Sequence, residues 1–198
     1  MARARTAPSP KSPMSTQIAL LRGVNVGGKN PVPMKELAAL FAKLGCASVR
    51  TYIQSGNVVF QVPEDLLDDL AKRLAAGIAQ RFGVTSPVVL RSAEAFAQAA
   101  ARNPFLAEGA DPDKLHLMFL AAAADKERVA RLDPGRSPPD RFIVTGAEVY
   151  LHCPNGLARS KLTNDYFDRT LGTTSTVRNL RTVGALIEMT RAASGEGC

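Results

Sequence analysis

Short apolar runs alternate with amphipathic stretches along this chain. Residues 17–21 (Gln-Ile-Ala-Leu-Leu) form an apolar run that predicts a buried strand. Beyond a glycine-rich loop, apolar residues recur at helical spacing over 34–44, and Gly45 supplies the stop. Strand-like runs at 48–53 and 58–62 flank Gln54-Ser55-Gly56-Asn57, a hairpin signal. Pro63-Glu64-Asp65 opens a helix that reaches about Phe82 before Gly83 ends it. A strand over 86–90 follows. A helix over 92–102 then has Ser92 as its N-cap and Ala93, Phe96 and Ala100 on one face.

Residues 103–113 (Asn-Pro-Phe-Leu-Ala-Glu-Gly-Ala-Asp-Pro-Asp) are dense in turn formers, and after them the order repeats. A strand is predicted over 114–120 and a helix over 125–132. Strands over 141–144 and 148–152 flank Thr145-Gly146-Ala147, a helix over 159–171 stops at Gly172, a strand covers 175–177 and a helix 179–191. Each half reads β-α-β-β-α-β with an added C-terminal helix, the ferredoxin-like order. The expected fold is α+β: two ferredoxin-like units as a pseudo-duplication, over 16–103 and 114–192, joined by a linker at 104–113. Residues 1–15 read as a disordered leader and 193–198 as a disordered tail. Residue identity between the halves is weak, so the duplication rests on element order alone.

Of the 198 residues, 45% are hydrophobic, enough to bury a core. Lys and Arg outnumber Asp and Glu 25 to 18, and Arg3, Arg5 and Lys11 lie in the leader. The remaining excess fits either a plain basic surface or an anionic partner. Three cysteines with no Cys-x-x-Cys argue against a disulfide framework and fit a reducing cytoplasm. The leader is charged but lacks the apolar region of a secretory signal, and Met14 is an alternative start. The longest apolar run, 117–124, is far short of the ~20 residues that span a bilayer, so no membrane partner is expected.

The run Arg22-Gly-Val-Asn-Val-Gly-Gly-Lys-Asn30 carries the most chemistry. Such a strand-to-helix loop can turn N–H groups and positive charge toward an anion. Gly23, Gly28 and Lys29 fall on the G-x-x-x-x-G-K spacing of a P-loop. That reading fails on three counts. Asn30 replaces the Ser or Thr that would bind Mg²⁺, Pro31 keeps a helix from running through Lys29, and hairpins dominate where a P-loop needs a parallel sheet. An anion cradle with Lys29 as a point charge survives. The competing reading is that the glycines only permit a tight turn.

Two other runs carry cations. His152-Cys-Pro-Asn-Gly-Leu-Ala-Arg159-Ser160-Lys161-Leu162 leaves a strand and places Arg159 and Lys161 near an expected helix start. The macrodipole disfavours cations there unless an anion binds. A solvated surface pair is the alternative. Thr173-Thr-Ser-Thr-Val-Arg178-Asn-Leu-Arg-Thr182 is a hydroxyl-rich strand ending in Arg178. Arg91 ends the corresponding strand of the first half, and the competing reading is that each Arg only covers a helix start with its stem.

Residues 22–29, 50–57 (Arg-Thr-Tyr-Ile-Gln-Ser-Gly-Asn) and 154–162 resemble the signature segments of the domain-of-unknown-function 1697 family of bacterial proteins. Asn103-Pro-Phe105 and 174–183 match weaker family segments, and the resemblance extends over about 16–191. Two departures stand out: Leu180 where the family typically has Trp, and Ala158 where it often has Gly. The resemblance implies an α+β fold and no activity.

Metal and nucleophile readings find little support. His116 and His152 lack a third ligand at useful spacing, so no metal or other cofactor is expected. Cys153 neighbours His152, but adjacent strand residues point to opposite faces, which makes Cys153 a core residue. Tyr52, Phe60 and Tyr150 lie in the hairpins without an RNP1 pattern, so a base-stacking platform is not indicated. Backbone-tracking through Arg and Lys stays open.

The functional expectation is a cytoplasmic module that binds a phosphate-bearing or other anionic ligand. Arg22, Lys29, Arg159, Lys161 and Arg178 supply charge, Gly27 and Gly28 allow close approach, and Asn25, Ser55, Asn57 and Ser160 add hydrogen bonds. The alternatives are a nucleic-acid-binding protein, an enzyme acting on a phosphorylated small molecule, and a structural or oligomeric role. No catalytic group and no oligomeric state can be named from the chain.

Overall fold

The computed structural model describes residues 12–193, so residues 1–11 of the leader expected over 1–15 and residues 194–198 of the tail expected over 193–198 lie outside the described residues. Strand β1 (Met14–Leu21), helix α1 (Met34–Lys43), β2 (Ala47–Tyr52), β3 (Asn57–Pro63), α2 (Leu67–Phe82), β4 (Val88–Ser92) and α3 (Ala93–Ala101) form the first half. A one-turn helix, α4 (Pro104–Ala107), leads on. The second half is β5 (Leu115–Leu120), one-turn α5 (Lys126–Val129), β6 (Arg141–Thr145), β7 (Glu148–His152), α6 (Asn164–Leu171), β8 (Ser175–Asn179) and α7 (Leu180–Ala193). Two four-stranded sheets result, in the orders β2-β3-β1-β4 and β6-β7-β5-β8. Every pairing is antiparallel. Both halves therefore have the ferredoxin-like topology that element order predicts.

The central strands are apolar on both faces because both faces are covered. In β1, Ala19 and Leu21 pack with Leu37, Phe41, Leu74 and Ile78 of α1 and α2. Ile18 and Leu20 point the other way, into a cluster with Phe96 of α3, Val183 and Leu186 of α7, and Leu117 and Phe119 of β5. Met118 and Leu120 face a third cluster with Phe167 and Leu171 of α6. The layers run helix, sheet, helix, sheet, helix. The middle layer is the added helix of each half, α3 beside α7, and α7 touches β1 and β3 as well as β5 and β8. Phe96 stacks on Phe119 with ring centroids 4.8 Å apart, and the Tyr150 hydroxyl donates to the Ala99 carbonyl at 3.0 Å.

Several boundaries differ from expectation. β1 starts at Met14, so Met14 and Ser15, assigned to the leader, pair with Pro63 and Val62. α6 starts at Asn164 rather than 159. Thr163 is its N-cap, with its side chain accepting from the Tyr166 N–H, and residues 157–159 form a separate 3₁₀ turn. Arg159 and Lys161 consequently lie ahead of the helix rather than in its first turn. The helix expected over 125–132 is shorter: Asp125 is its N-cap, and it stops at Val129 and tightens into 3₁₀-type turns through Leu132. β8 extends to Asn179, one residue past Arg178.

Candidate functional site

The glycine loop is a small hairpin. Val26 and Lys29 bridge, with the Lys29 N–H donating to the Val26 carbonyl at 3.0 Å. Gly27 and Gly28 form its tip with φ of +57° and +74°, values that glycine enters without penalty. Neither a P-loop helix nor an enclosed cradle is present: Gly27, Gly28 and Lys29 are exposed. Asn25 locks the loop in place. Its amide Nδ2 donates to the carbonyls of Val32 (2.9 Å) and Gln54 (2.7 Å), and its Oδ1 accepts from the Val32 N–H. The glycine loop and the β2–β3 turn are thereby tied to each other.

Beneath these two turns lies a cavity of about 440 Å³ between the halves. Arg22, Ser55 and Asn57 line it from the first half, and Asn164, Thr176, Arg178 and Thr182 from the second, with no carboxylate among its lining residues. Four of the residues expected at a site, Arg22, Ser55, Asn57 and Arg178, thus converge. Asn25 acts behind the wall, and Gly27, Gly28 and Lys29 stand outside the lining. Arg159, Ser160 and Lys161 lie on a separate loop. There Lys161 N–H donates to the Ser137 hydroxyl (3.0 Å), Ser160 Oγ accepts from Leu162 N–H (3.1 Å), and Arg159 and Lys161 are solvated surface cations. Those six residues do not form walls of this cavity.

Arg178 crosses from β8 to the first half. Its Nε donates to Asn57 Oδ1, Nη1 to Thr176 Oγ1 and the Val177 carbonyl, and Nη2 to the carbonyls of Leu21 (2.7 Å) and Ser55 (3.3 Å). All five N–H bonds are used, and every acceptor is neutral. Burial pushes its pKa down to about 10, and among the described residues no carboxylate pairs with it. Arg22 crosses the other way and is neutralised by Asp168, with Asp165 at 3.9 Å. Asp168 is itself fixed by the Ser175 hydroxyl at 2.6 Å, which accepts from Asn164 Nδ2 at 2.8 Å.

The opposite corner of the pseudo-duplication provides an internal comparison. In register, Arg91 pairs with Ile18 as Arg178 pairs with Leu117, and Asn57 pairs with Leu20 as Glu148 pairs with Phe119. Arg91 reaches the Leu120 and Ala147 carbonyls as Arg178 reaches those of Leu21 and Ser55. Where Arg178 meets neutral Asn57, Arg91 meets Glu148 at 3.2 Å. One corner is a closed ion pair; the other keeps an uncompensated cation beside a cavity.

Residues 14–150 match the family described as protein of unknown function, DUF1697. The chain belongs to this family. The DUF1697 match takes in the segments at 22–29 and 50–57 and ends before 154. No curated protein matches the chain. Among solved structures, it is similar to the conserved bacterial protein SP0830 from Streptococcus pneumoniae, at 24% identity and a TM-score of 0.68. That similarity covers 89% of this chain and 99% of the other. At that identity the likeness speaks to the fold alone.

Other chemistry in this DUF1697 chain is muted. Burial pushes the Cys46 and Cys153 thiols up to about 11. Cys153 lies in the outer core while His152 faces Phe105, on opposite sides of β7. Burial lowers the pKa of His116. Among the described residues no group of three His, Cys, Asp or Glu is placed to hold a metal, and no helix is long and apolar enough to cross a membrane. Phe60 and Tyr150 are 1% and 2% exposed, so neither hairpin offers them as a stacking surface. Sequence reasoning missed Asn164, Thr176 and Thr182. The last two sit in the hydroxyl-rich run that was noted, whereas Asn164 became visible only once Thr163 was placed as the cap.

Proposed function

We propose that this protein binds a small phosphate-bearing ligand in the basic cavity between its halves, taken as 16–103 and 114–192 about the linker 104–113. The observation that carries the reading is the missing counter-charge at Arg178, set against the Glu148 that neutralises its counterpart Arg91. A half-buried cation without a charged partner carries a desolvation cost, and an anion in the adjoining cavity offsets that cost. Arg178 acts through its field, since its N–H groups are all engaged. Direct donors come from the Ser55 and Thr182 hydroxyls, which have no hydrogen-bond partner among the described residues, and from Arg22. The N-terminus of α7 adds favourable dipole, because Thr182 of its first turn and Asn179 just ahead of it, whose Oδ1 accepts from the Thr182 N–H, line the same cavity. A reducing cytoplasm suits two free buried thiols.

Calorimetric titration with inorganic phosphate at fixed ionic strength tests this. Saturable binding of one phosphate per chain is expected. The absence of saturable heat up to ~10 mM refutes the reading.

A further inference from the structure

Two of the most exposed large apolar side chains in the described residues, Val26 (62% exposed) and Ile53 (52%), both line the basic cavity. Neither belongs to an apolar cluster of the core. A single exposed apolar side chain is ordinary, but these two come from different loops and meet at one opening. Their relative placement is fixed, because Asn25 ties the glycine loop to Gln54, the residue after Ile53. Ile53 also has φ +46°, a left-handed conformation that β-branched residues scarcely enter. Nothing in the hairpin calls for isoleucine there; glycine or asparagine would satisfy the turn without strain. Strain retained at the mouth of a cavity is the pattern of a ligand contact.

The cavity is therefore bipolar, with an apolar lip at the solvent side and the cation Arg178 at depth. Its 440 Å³ falls in the range of sites for organic ligands. We infer that the ligand is an organic phosphate monoester with an apolar or aromatic body. Its phosphate lies toward Arg178, Ser55 and Thr182, and its body is held between Val26 and Ile53. This rests on the anion reading above and adds the class of ligand.

The experiment compares inorganic phosphate, glycerol phosphate and phenyl phosphate by calorimetry at fixed ionic strength, on the wild type, Ile53→Gly and Val26→Ser. Glycine fits φ +46° better than isoleucine does, so Ile53→Gly keeps the fold, and circular dichroism verifies this. Phenyl phosphate is expected to bind the wild type about tenfold more tightly than the other two, the factor a partly covered apolar group contributes. Each variant should lose most of that gain while binding inorganic phosphate unchanged. Equal affinity for phenyl and glycerol phosphate, or a gain that survives both substitutions, overturns the lip assignment and leaves the anion site standing. No binding of any of the three overturns both.

Discussion

Replacing Asn57 by Asp inserts the counter-charge that the other half already has. Asn57 is fully buried, and its Oδ1 accepts from Arg178 Nε, so an isosteric carboxylate lands against the guanidinium without new volume. An anion in the cavity, on the order of 6 Å from that carboxylate, meets a repulsion of roughly 332/(20 × 6), or ~2.8 kcal/mol, at an effective dielectric constant of ~20. That corresponds to about a hundredfold loss of affinity. The cost to the fold is smaller. The Nδ2 donation to the Tyr52 carbonyl at 3.3 Å is lost, worth about 1 kcal/mol. Desolvation of the new carboxylate is offset by its pairing with Arg178, as Glu148 pairs with Arg91. Stability should stay within about 2 kcal/mol of wild type in urea melts. Calorimetry with inorganic phosphate at fixed ionic strength reads the affinity. A folded N57D protein that binds phosphate as tightly as the wild type would show that Arg178 is not the source of attraction.

Other parts of the structure make separate predictions. Gly56→Ala puts a Cβ 2.6 Å from Leu21 Cβ and Val24 Cγ2 at φ +69°, so it should cost about 2–4 kcal/mol in urea unfolding. Phe96→Ala empties the middle layer against Phe119 and should cost about 3–5 kcal/mol by the same measurement. Glu148→Gln leaves Arg91 unpaired between the halves and should destabilise by about 2 kcal/mol; an unchanged urea midpoint would count against the pseudo-symmetric comparison. The native Cys46 and Cys153 thiols keep their protons to about 11, whereas unfolded thiols release theirs near 9. Their contribution to stability is thus intact below pH 9 and is lost as pH climbs through 11. Ellman's reagent should accordingly label neither thiol at pH 8 until urea unfolds the chain.

The element order was readable because the two central strands and their helices carry clean apolar periods. Ile18 to Leu21 and Leu117 to Leu120 are buried on both faces, and such strands appear as unbroken apolar runs. The start of α6 was misplaced because Thr163, not the Pro-Asn-Gly turn, supplies the cap, and a lone threonine between Leu162 and Asn164 gives little pattern. For the site, the residue types were legible but their grouping was not. The bond from Arg178 to Asn57 spans 121 residues, and nothing local to either residue indicates the other. Arg159 and Lys161 look much like Arg22 and Arg178 in the chain, yet only the latter pair is drawn between the halves. The difference lies in strand register: β8 continues two residues beyond the expected 175–177 and carries Arg178 to the end of β1.

On the proposed reading, that register gives the duplicated fold one anion site rather than two. A pseudo-twofold arrangement builds the same corner twice: a strand-end arginine reaching the last carbonyl of the other half's first strand and its hairpin turn. Glu148 turns one corner into a structural clamp. Asn57 leaves the other with its hydrogen bonds made but an uncompensated charge, and the loop above it carries Arg22, itself paired with Asp168, where the second half has Ala121 in the same place after its strand. Since Arg178 holds the halves together by the same atoms that create the field, an anion bound there stabilises the native pairing of the halves. At a ligand concentration of 100 times Kd that linkage amounts to about 2.7 kcal/mol. N57D removes the linkage while retaining the clamp, so phosphate should raise the melting temperature of the wild type and leave that of N57D in place.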